Sequence, residues 1–173
     1  MSLGRYRAPF RVISTAHPSP SPKTVEQGWP LSLATLSSDE VQNGDCTLLN
    51  DAPLRLVERR HLIEAPTIRD IAMACVRRVE ALSGKRVSDE DGSLLADIIS
   101  EAERLPTETF VGRKSDLVRW SGSQGREIDM RGVCGSLRMP EGCGGLLPLM
   151  LAAEWMHIGK GTVFGLGEVE VDE

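Results

Sequence analysis

Apolar residues at 68, 71, 75, 79 and 82 keep the three- and four-residue spacing of one helix face, with Ala72 and Val76 widening the stripe. Thr67 and Asp70 have capping-box spacing ahead of it, and Ser83-Gly84 supplies a stop, so a helix is predicted over 68–82. Arg69, Arg77 and Arg78 fall on the remaining surface of that helix. Ser88 and Asp91 repeat the capping spacing before a shorter helix ending near 105–106. Its inner face is Leu94, Leu95, Ile98, Ile99 and Ala102, with Asp97, Glu101 and Glu103 outward. A third helix over 146–156 has Pro148 in its first turn and apolar groups around most of its circumference. It is expected to lie against a sheet, with Glu154 and His157 as the exceptions.

Between these helices the period shortens to that of strands. Residues 47–57 place Leu48, Leu54 and Leu56 on one face, and Pro53 predicts an edge position or a bulge. The stretches around 118–120 and 128–134 read as a hairpin joined through the glycine-containing loop 121–125, with a bulge at Gly132. A last strand falls near 168–171. Upstream, 4–13 reads as a basic strand and 31–36 as a weaker one, separated by the proline-rich break at 17–22, where His17 is a loop residue. Residues 1–45 are therefore taken as a remnant of, or linker from, a preceding domain, and 46–173 as the folded unit. The order is β-α-β-β-α-β, an α+β, ferredoxin-like domain preceded by a partial strand-rich segment. Two helices would cover one sheet face and leave the other open to RNA, a partner or a neighbouring domain.

Composition narrows the function classes. A chain of 173 residues that is 40% apolar supports one comfortable core. The net charge of -5 argues against a generally basic nucleic-acid coat, although Glu168, Glu170, Asp172 and Glu173 carry much of it. Local positive charge remains at Arg59-Arg60-His61 and at Arg113, Lys114, Arg119, Arg126 and Arg131, interleaved with Asp116, Glu127 and Asp129. Cys46, Cys75, Cys134 and Cys143 are dispersed without a Cys-x-x-Cys, which reads as reduced, non-ligating thiols in a cytoplasmic protein, with Cys75 in the core. No metal and no cofactor is expected. Arg5 and Arg7 are followed by no apolar signal region, and no apolar run has membrane-spanning length, so no membrane partner is expected.

The chemistry concentrates in the run from His157 to Gly167. Gly159, Gly161, Gly165 and Gly167 let the backbone turn through positive φ, and amide groups of such a turn, with Lys160 and Thr162, suit a phosphate. The run is no Walker loop, because Gly159-Lys160 follows a helix and no hydroxyl succeeds the lysine. The dinucleotide pattern fails on the order of its elements. Contact with a nucleic-acid backbone and a structural turn with Gly159 as helix C-cap both stay open. For His157 three roles stay open, namely acid–base catalysis, an RNA or interdomain contact, and a helix-end role. Trp120 and Trp155 sit in apolar patterns that predict core packing.

Several of these segments taken together resemble a known family. They are Trp120-Ser-Gly-Ser-Gln-Gly, Met130-Arg-Gly-Val-Cys-Gly, Leu147-Pro-Leu and the run Trp155 to Gly167, with Pro53-Leu-Arg-Leu as a first strand. Their order resembles the C-terminal domain of the CRISPR-associated RAMP endoribonucleases that process precursor CRISPR RNA. The resemblance implies tandem ferredoxin-like domains and a glycine-rich loop holding repeat RNA. It also implies metal-independent attack of a ribose 2′-hydroxyl on the adjacent phosphorus, leaving a cyclic phosphate. RNA contacts then fall on Gly159, Lys160, Gly161, Thr162, Gly165 and Gly167, with Arg126 and Arg131 from the hairpin, and His157 is the local acid–base candidate. The family's cleavage histidine usually lies in an N-terminal domain, of which only a last strand at 4–12 is legible here. The implied partners are CRISPR repeat RNA, that missing N-terminal domain and CRISPR ribonucleoprotein subunits. Two functions are carried forward: the RNA-binding C-terminal portion of such a nuclease, and a non-catalytic ferredoxin-like scaffold or protein-interaction domain.

Overall fold

The computed structural model of the chain describes residues 2–3, 8–9, 44–90 and 92–172. Ser2–Leu3 (β1) and Ala8–Pro9 (β2) pair antiparallel, and the latter is the described part of the strand expected over 4–13. The break at 17–22 with His17 and the strand expected at 31–36 lie outside the described residues.

Alternating burial along Cys46–Leu54 (β3) sends Cys46, Leu48 and Leu54 into the core. A small hairpin follows, Val57–Glu58 (β4) with His61–Leu62 (β5), turned through Arg59 and Arg60 at φ 46 and 71. Three helices come next, Ile68–Ser83 (α1), Val87–Glu90 (α2) and Gly92–Arg104 (α3). Then come Val111–Ser115 (β6), Val118–Ser121 (β7), Arg126–Asp129 (β8) and Gly132–Met139 (β9). Leu147–Met156 (α4) and Glu170–Asp172 (β10) complete the described order.

Four strands form one antiparallel sheet in the order β10-β3-β9-β6. Within β3-α1-β6-β9-α4-β10 that is fourth, first, third, second, the ferredoxin-like arrangement expected from the sequence. Leu48, Leu54, Val133, Leu137 and Met139 of the sheet share a core with Ile71 and Cys75 of α1 and with Met150 and Ala153 of α4. Each large side chain so buried stabilises the domain by about 1.5–3 kcal/mol.

The predicted hairpin exists but sits elsewhere in the topology. β7 and β8 make a ribbon of their own, while the sheet uses β6 and β9 on either side of it. Polar-rich β6 pairs Gly112 with Gly135, and the Phe110 ring fills the space where either glycine would carry a side chain. The chain leaves the ribbon at 130–131, and Gly132 opens β9 where a Cβ would meet the Leu54 carbonyl oxygen at 2.8 Å. The bulge lies in β3, near Pro53: four residue steps from Asn50 to Leu54 face two steps from Gly135 to Val133. Buried Asn50 pins it, its Nδ2 donating to the Val133 carbonyl at 2.6 Å.

The capping box of α1 is as predicted. Asp70 N–H donates to Thr67 Oγ1 at 3.2 Å, and Thr67 N–H donates to Asp70 Oδ2 at 2.9 Å. Gly84 ends the helix at φ 71. Thr67→Ala is expected to cost about 1 kcal/mol, read as a lower urea midpoint at unchanged slope. Leu82 does not join the stripe: burial ends at Val76, Val79 is half-buried, and the last turn projects past the core. Ser88 lies inside α2 rather than capping α3, and Asp91 is outside the described residues. Glu101 is not simply outward; its Oε1 accepts the Gly145 N–H at 3.1 Å and its Oε2 pairs with Arg104.

Both tryptophans expected in the core are exposed, Trp120 by 60% and Trp155 by 70%. Trp120 alternates with Val118 on a ribbon outside the main sheet, so nothing in that sheet covers it. Trp155 sits on the side of α4 away from Leu149, Met150 and Ala153.

Candidate nucleic-acid interface

The glycine run is stitched to the end of β3. His157, at φ 53, is the C-cap of α4 in place of Gly159, its N–H donating to the Ala153 carbonyl at 2.9 Å. Ile158 N–H then donates to the Gly167 carbonyl at 2.8 Å, Lys160 N–H to that of Arg55 at 2.9 Å, and Gly167 N–H to that of Pro53 at 3.1 Å. Phe164 and Leu166 donate to the Gly161 carbonyl, and Gly165 donates to that of Thr162, closing a 3-10 turn over Thr162–Phe164. These seven amides are directed at the chain's own carbonyls and not at a ligand. Gly159, Gly161, Gly165 and Gly167 take φ values of 75 to 84, so the glycines serve the turn itself. What the loop turns outward is the Lys160 side chain, with Val163 and Phe164.

Lys160 lies on a groove of about 340 Å³ together with Arg55, Arg77 and Arg78. Leu56, Val57, Ala74 and Ala81 supply its apolar lining. The four cations come from three segments, the end of β3, α1 and the glycine loop. Arg55 follows β3 and donates from Nη1 to the Arg131 carbonyl at 2.7 Å. Arg78 Nε donates to the Met156 carbonyl at 2.9 Å, placing positive charge at the C-terminal end of α4. Arg77 and Lys160 are exposed. Arg55 is paired with Asp129, but the charges of Arg77, Arg78 and Lys160 around one concavity attract an anion with several charges, and the apolar stems can lie beneath a sugar or base. The sequence had placed Arg77 and Arg78 on the general surface of α1; their one distinguishing signal was position off the apolar stripe.

Arg131 is engaged rather than open. Its Nε and Nη2 donate to Asp129 Oδ1 and Oδ2 at 2.8 and 3.2 Å, and Arg55 Nη2 reaches Oδ2 at 3.0 Å. The Arg131 side chain, its backbone N–H and then the charge of Arg55 hold the Asp129 carboxyl well below the usual carboxylate range, against slight desolvation. A depressed folded pKa gives stability that is present above the unfolded value of about 3.9 and lost as pH falls through the folded one. Asp129→Asn should therefore lower stability by a constant amount between pH 5 and 7 (~neutral range), with the difference shrinking below about pH 4. Urea denaturation of both proteins across that range checks it.

Arg126 Nε donates to Gln124 Oε1 at 2.9 Å. It shares a ribbon face with Arg119, whose guanidinium lies 4.4 Å from the centre of the Phe164 ring. That contact brings Arg119 against the glycine loop, with Arg126 further along the same ribbon face while Val118 and Trp120 face the other way.

His157 and Lys160 do not act on one cavity. His157 lines a separate pocket with Asp51, Glu154, Glu168 and Glu170, a carboxylate-rich setting that repels phosphate. Its Nδ1 is buried and lacks a hydrogen-bond partner. Glu154 itself accepts the Val171 N–H at 2.7 Å. Among the described residues, no three His, Cys, Asp or Glu side chains gather to hold a metal, and no helix is long and apolar enough to cross a membrane.

The fold has counterparts among solved structures. Thermus thermophilus Cas6 (TTHB231) aligns over 85% of this chain and 62% of its own, with TM-score 0.54 and 15% identity. A Cas6 (TTHA0078) product complex aligns over 75% of this chain and 51% of its own, with TM-score 0.51 and 17% identity. A partial Cas6-RT-Cas1--Cas2 complex aligns over 82% of this chain and 24% of its own, with TM-score 0.50 and 10% identity. At these identities the likeness is one of fold, and the chain spans about half of the first Cas6 chains it matches. A search of curated proteins gives no match. The family model for the CRISPR-associated endoribonuclease Cas6 matches residues 50–169, more than half of the sequence, and the chain belongs to that family.

Proposed function

We propose that this chain is the RNA-holding, C-terminal portion of a metal-independent endoribonuclease that processes precursor CRISPR RNA, acting in the cytoplasm. The observation that carries the proposal is the groove on which Lys160 of the glycine loop meets Arg55, Arg77 and Arg78. A repeat-RNA backbone laid there meets point charges and forked guanidinium groups, which bind phosphate without reading sequence. The fold shared with a Cas6 product complex supports RNA as the ligand. The glycines of the loop act by shaping the turn that presents Lys160, and Arg126 extends the positive strip along the ribbon.

The reaction this reading serves is attack of a ribose 2′-hydroxyl on the neighbouring phosphorus, aided by a base, an acid and a cation. His157 enters it as a helix-end residue, since carboxylates surround it and its Nδ1 is enclosed. The chain's share is to position substrate, with the reacting groups supplied by an N-terminal ferredoxin-like domain. Anisotropy titration of labelled repeat RNA across a salt series tests this: affinity falling steeply with salt is expected, and binding indifferent to salt would overturn it.

A second reading rests on the exposed Val118 and Trp120 face of the ribbon, which suits a protein subunit of a CRISPR ribonucleoprotein complex. A partner that protects Trp120 while leaving RNA affinity unchanged would favour it.

A further inference from the structure

Cys46 opens β3 and Cys143 lies in the loop between β9 and α4. They are 97 positions apart in sequence, yet their Sγ atoms stand 2.7 Å from each other. Non-bonded heavy atoms settle at roughly 3.5–4 Å, and a disulfide bond is about 2.0 Å long. The two sulfurs therefore sit inside ordinary contact distance and short of a bond. Both residues are 3% exposed and belong to the core, with Met139 Sδ at 3.8 Å from Cys143 Sγ as a third sulfur beside them.

We infer that Cys46 and Cys143 form a disulfide when the folded protein meets a small peroxide. The bridge needs a closing movement of under an ångström between sulfurs that the fold already holds together, rather than a chance encounter of distant thiols. Burial selects the oxidant by size, because a bulky disulfide reagent has no approach to either sulfur without opening of the loop. In the first step one thiol gives up its proton and its sulfur attacks a peroxide oxygen. The O–O bond breaks, the leaving hydroxide takes the proton as water, and a sulfenic acid remains. The second sulfur then attacks the sulfenic sulfur, the S–O bond breaks, and the expelled hydroxide leaves as water with the second thiol proton. Two electrons pass from the sulfur pair to the peroxide.

The other two cysteines do not compete for the pair. Cys75 is fully buried on α1 with its thiol pushed up to about 12 by burial, and Cys134 faces the opposite side of the sheet from Cys46. The bridge would join the first residue of the central strand to the loop leading into α4, and so enclose β3 through β9 in one covalent loop. Crosslinks over loops of this length raise unfolding temperatures by on the order of 10 °C.

The test treats the folded chain with hydrogen peroxide, quenches it, and maps peptides without reduction. Expected are a linked Cys46–Cys143 peptide, loss of half the titratable thiols, and an upward shift in Tm that dithiothreitol reverses. Cys46→Ser and Cys143→Ser should each abolish the shift and Cys134→Ser should preserve it. Peptide mapping of the unsubstituted chain decides the matter even where a buried serine weakens folding. Four surviving thiols, sulfinic acid at either position without a link, or a link formed only in urea would overturn the inference.

Discussion

Gly167→Ala will destabilise the domain by about 3 kcal/mol, whereas Gly165→Ala, two residues away, will cost about 1 kcal/mol. The two glycines have nearly the same backbone, φ 75 and 81, so left-handed strain alone would predict equal losses. Their surroundings differ. A Cβ on Gly165 meets open space, while one on Gly167 lands on the Ile158 carbonyl oxygen. Relief of that clash separates the strands of the loop and breaks two hydrogen bonds, Ile158 N–H to Gly167 and Gly167 N–H to Pro53. Each broken bond costs about 1 kcal/mol beyond the strain. Urea midpoints at constant slope report the difference. Equal losses at the two positions would show that the loop is not sewn to β3 in this way.

Lys160→Ala combined with Arg77→Ala is expected to weaken repeat-RNA binding by on the order of 100-fold at low salt. Each cation facing a phosphate contributes a charge-assisted hydrogen bond, and about 1.4 kcal/mol corresponds to tenfold. The same double change should flatten the dependence of log affinity on log salt by about 1.4, or 0.7 for each lost contact to a single strand. Arg131→Ala is the comparison. Asp129 already takes both arms of that guanidinium, so its removal should alter affinity by less than about threefold. Should Arg131→Ala cost as much as the double change, the groove beside Lys160 is not where RNA lies. Thermal melts of all variants separate lost binding from lost folding.

The order of elements was legible because α1 has a long, patterned apolar face, α4 is an apolar run on nearly every side, and Thr67, Asp70 and Gly84 mark one helix at both ends. β6 was not legible. It is rich in charge and glycine, and its pairing depends on Phe110 lying over Gly112 and Gly135, a relation between strands that no window along the chain displays. Trp120 was misjudged for a related reason: alternation predicts two faces for a strand, but not whether a second layer covers either of them, and Trp155 because a helix apolar on nearly every side does not tell which side the core covers. In the interface, Lys160 was picked out by its glycine neighbours. Its companions Arg55, Arg77 and Arg78 come from β3's end and from α1, and only packing brings them to the same concavity. The separation of His157 from Lys160 turns on the positive φ at the helix end, which directs the two side chains to different pockets.

The β7–β8 ribbon keeps its own ladder and lends no strand to the main sheet. Its length is thus uncoupled from the register of β6 and β9. Two residues could be inserted in each arm below the turn at 122–125, and every inward or outward position nearer the base would keep its orientation. Such an appendage works like an adjustable finger, whose reach can diverge among relatives while the palm that carries it stays unchanged.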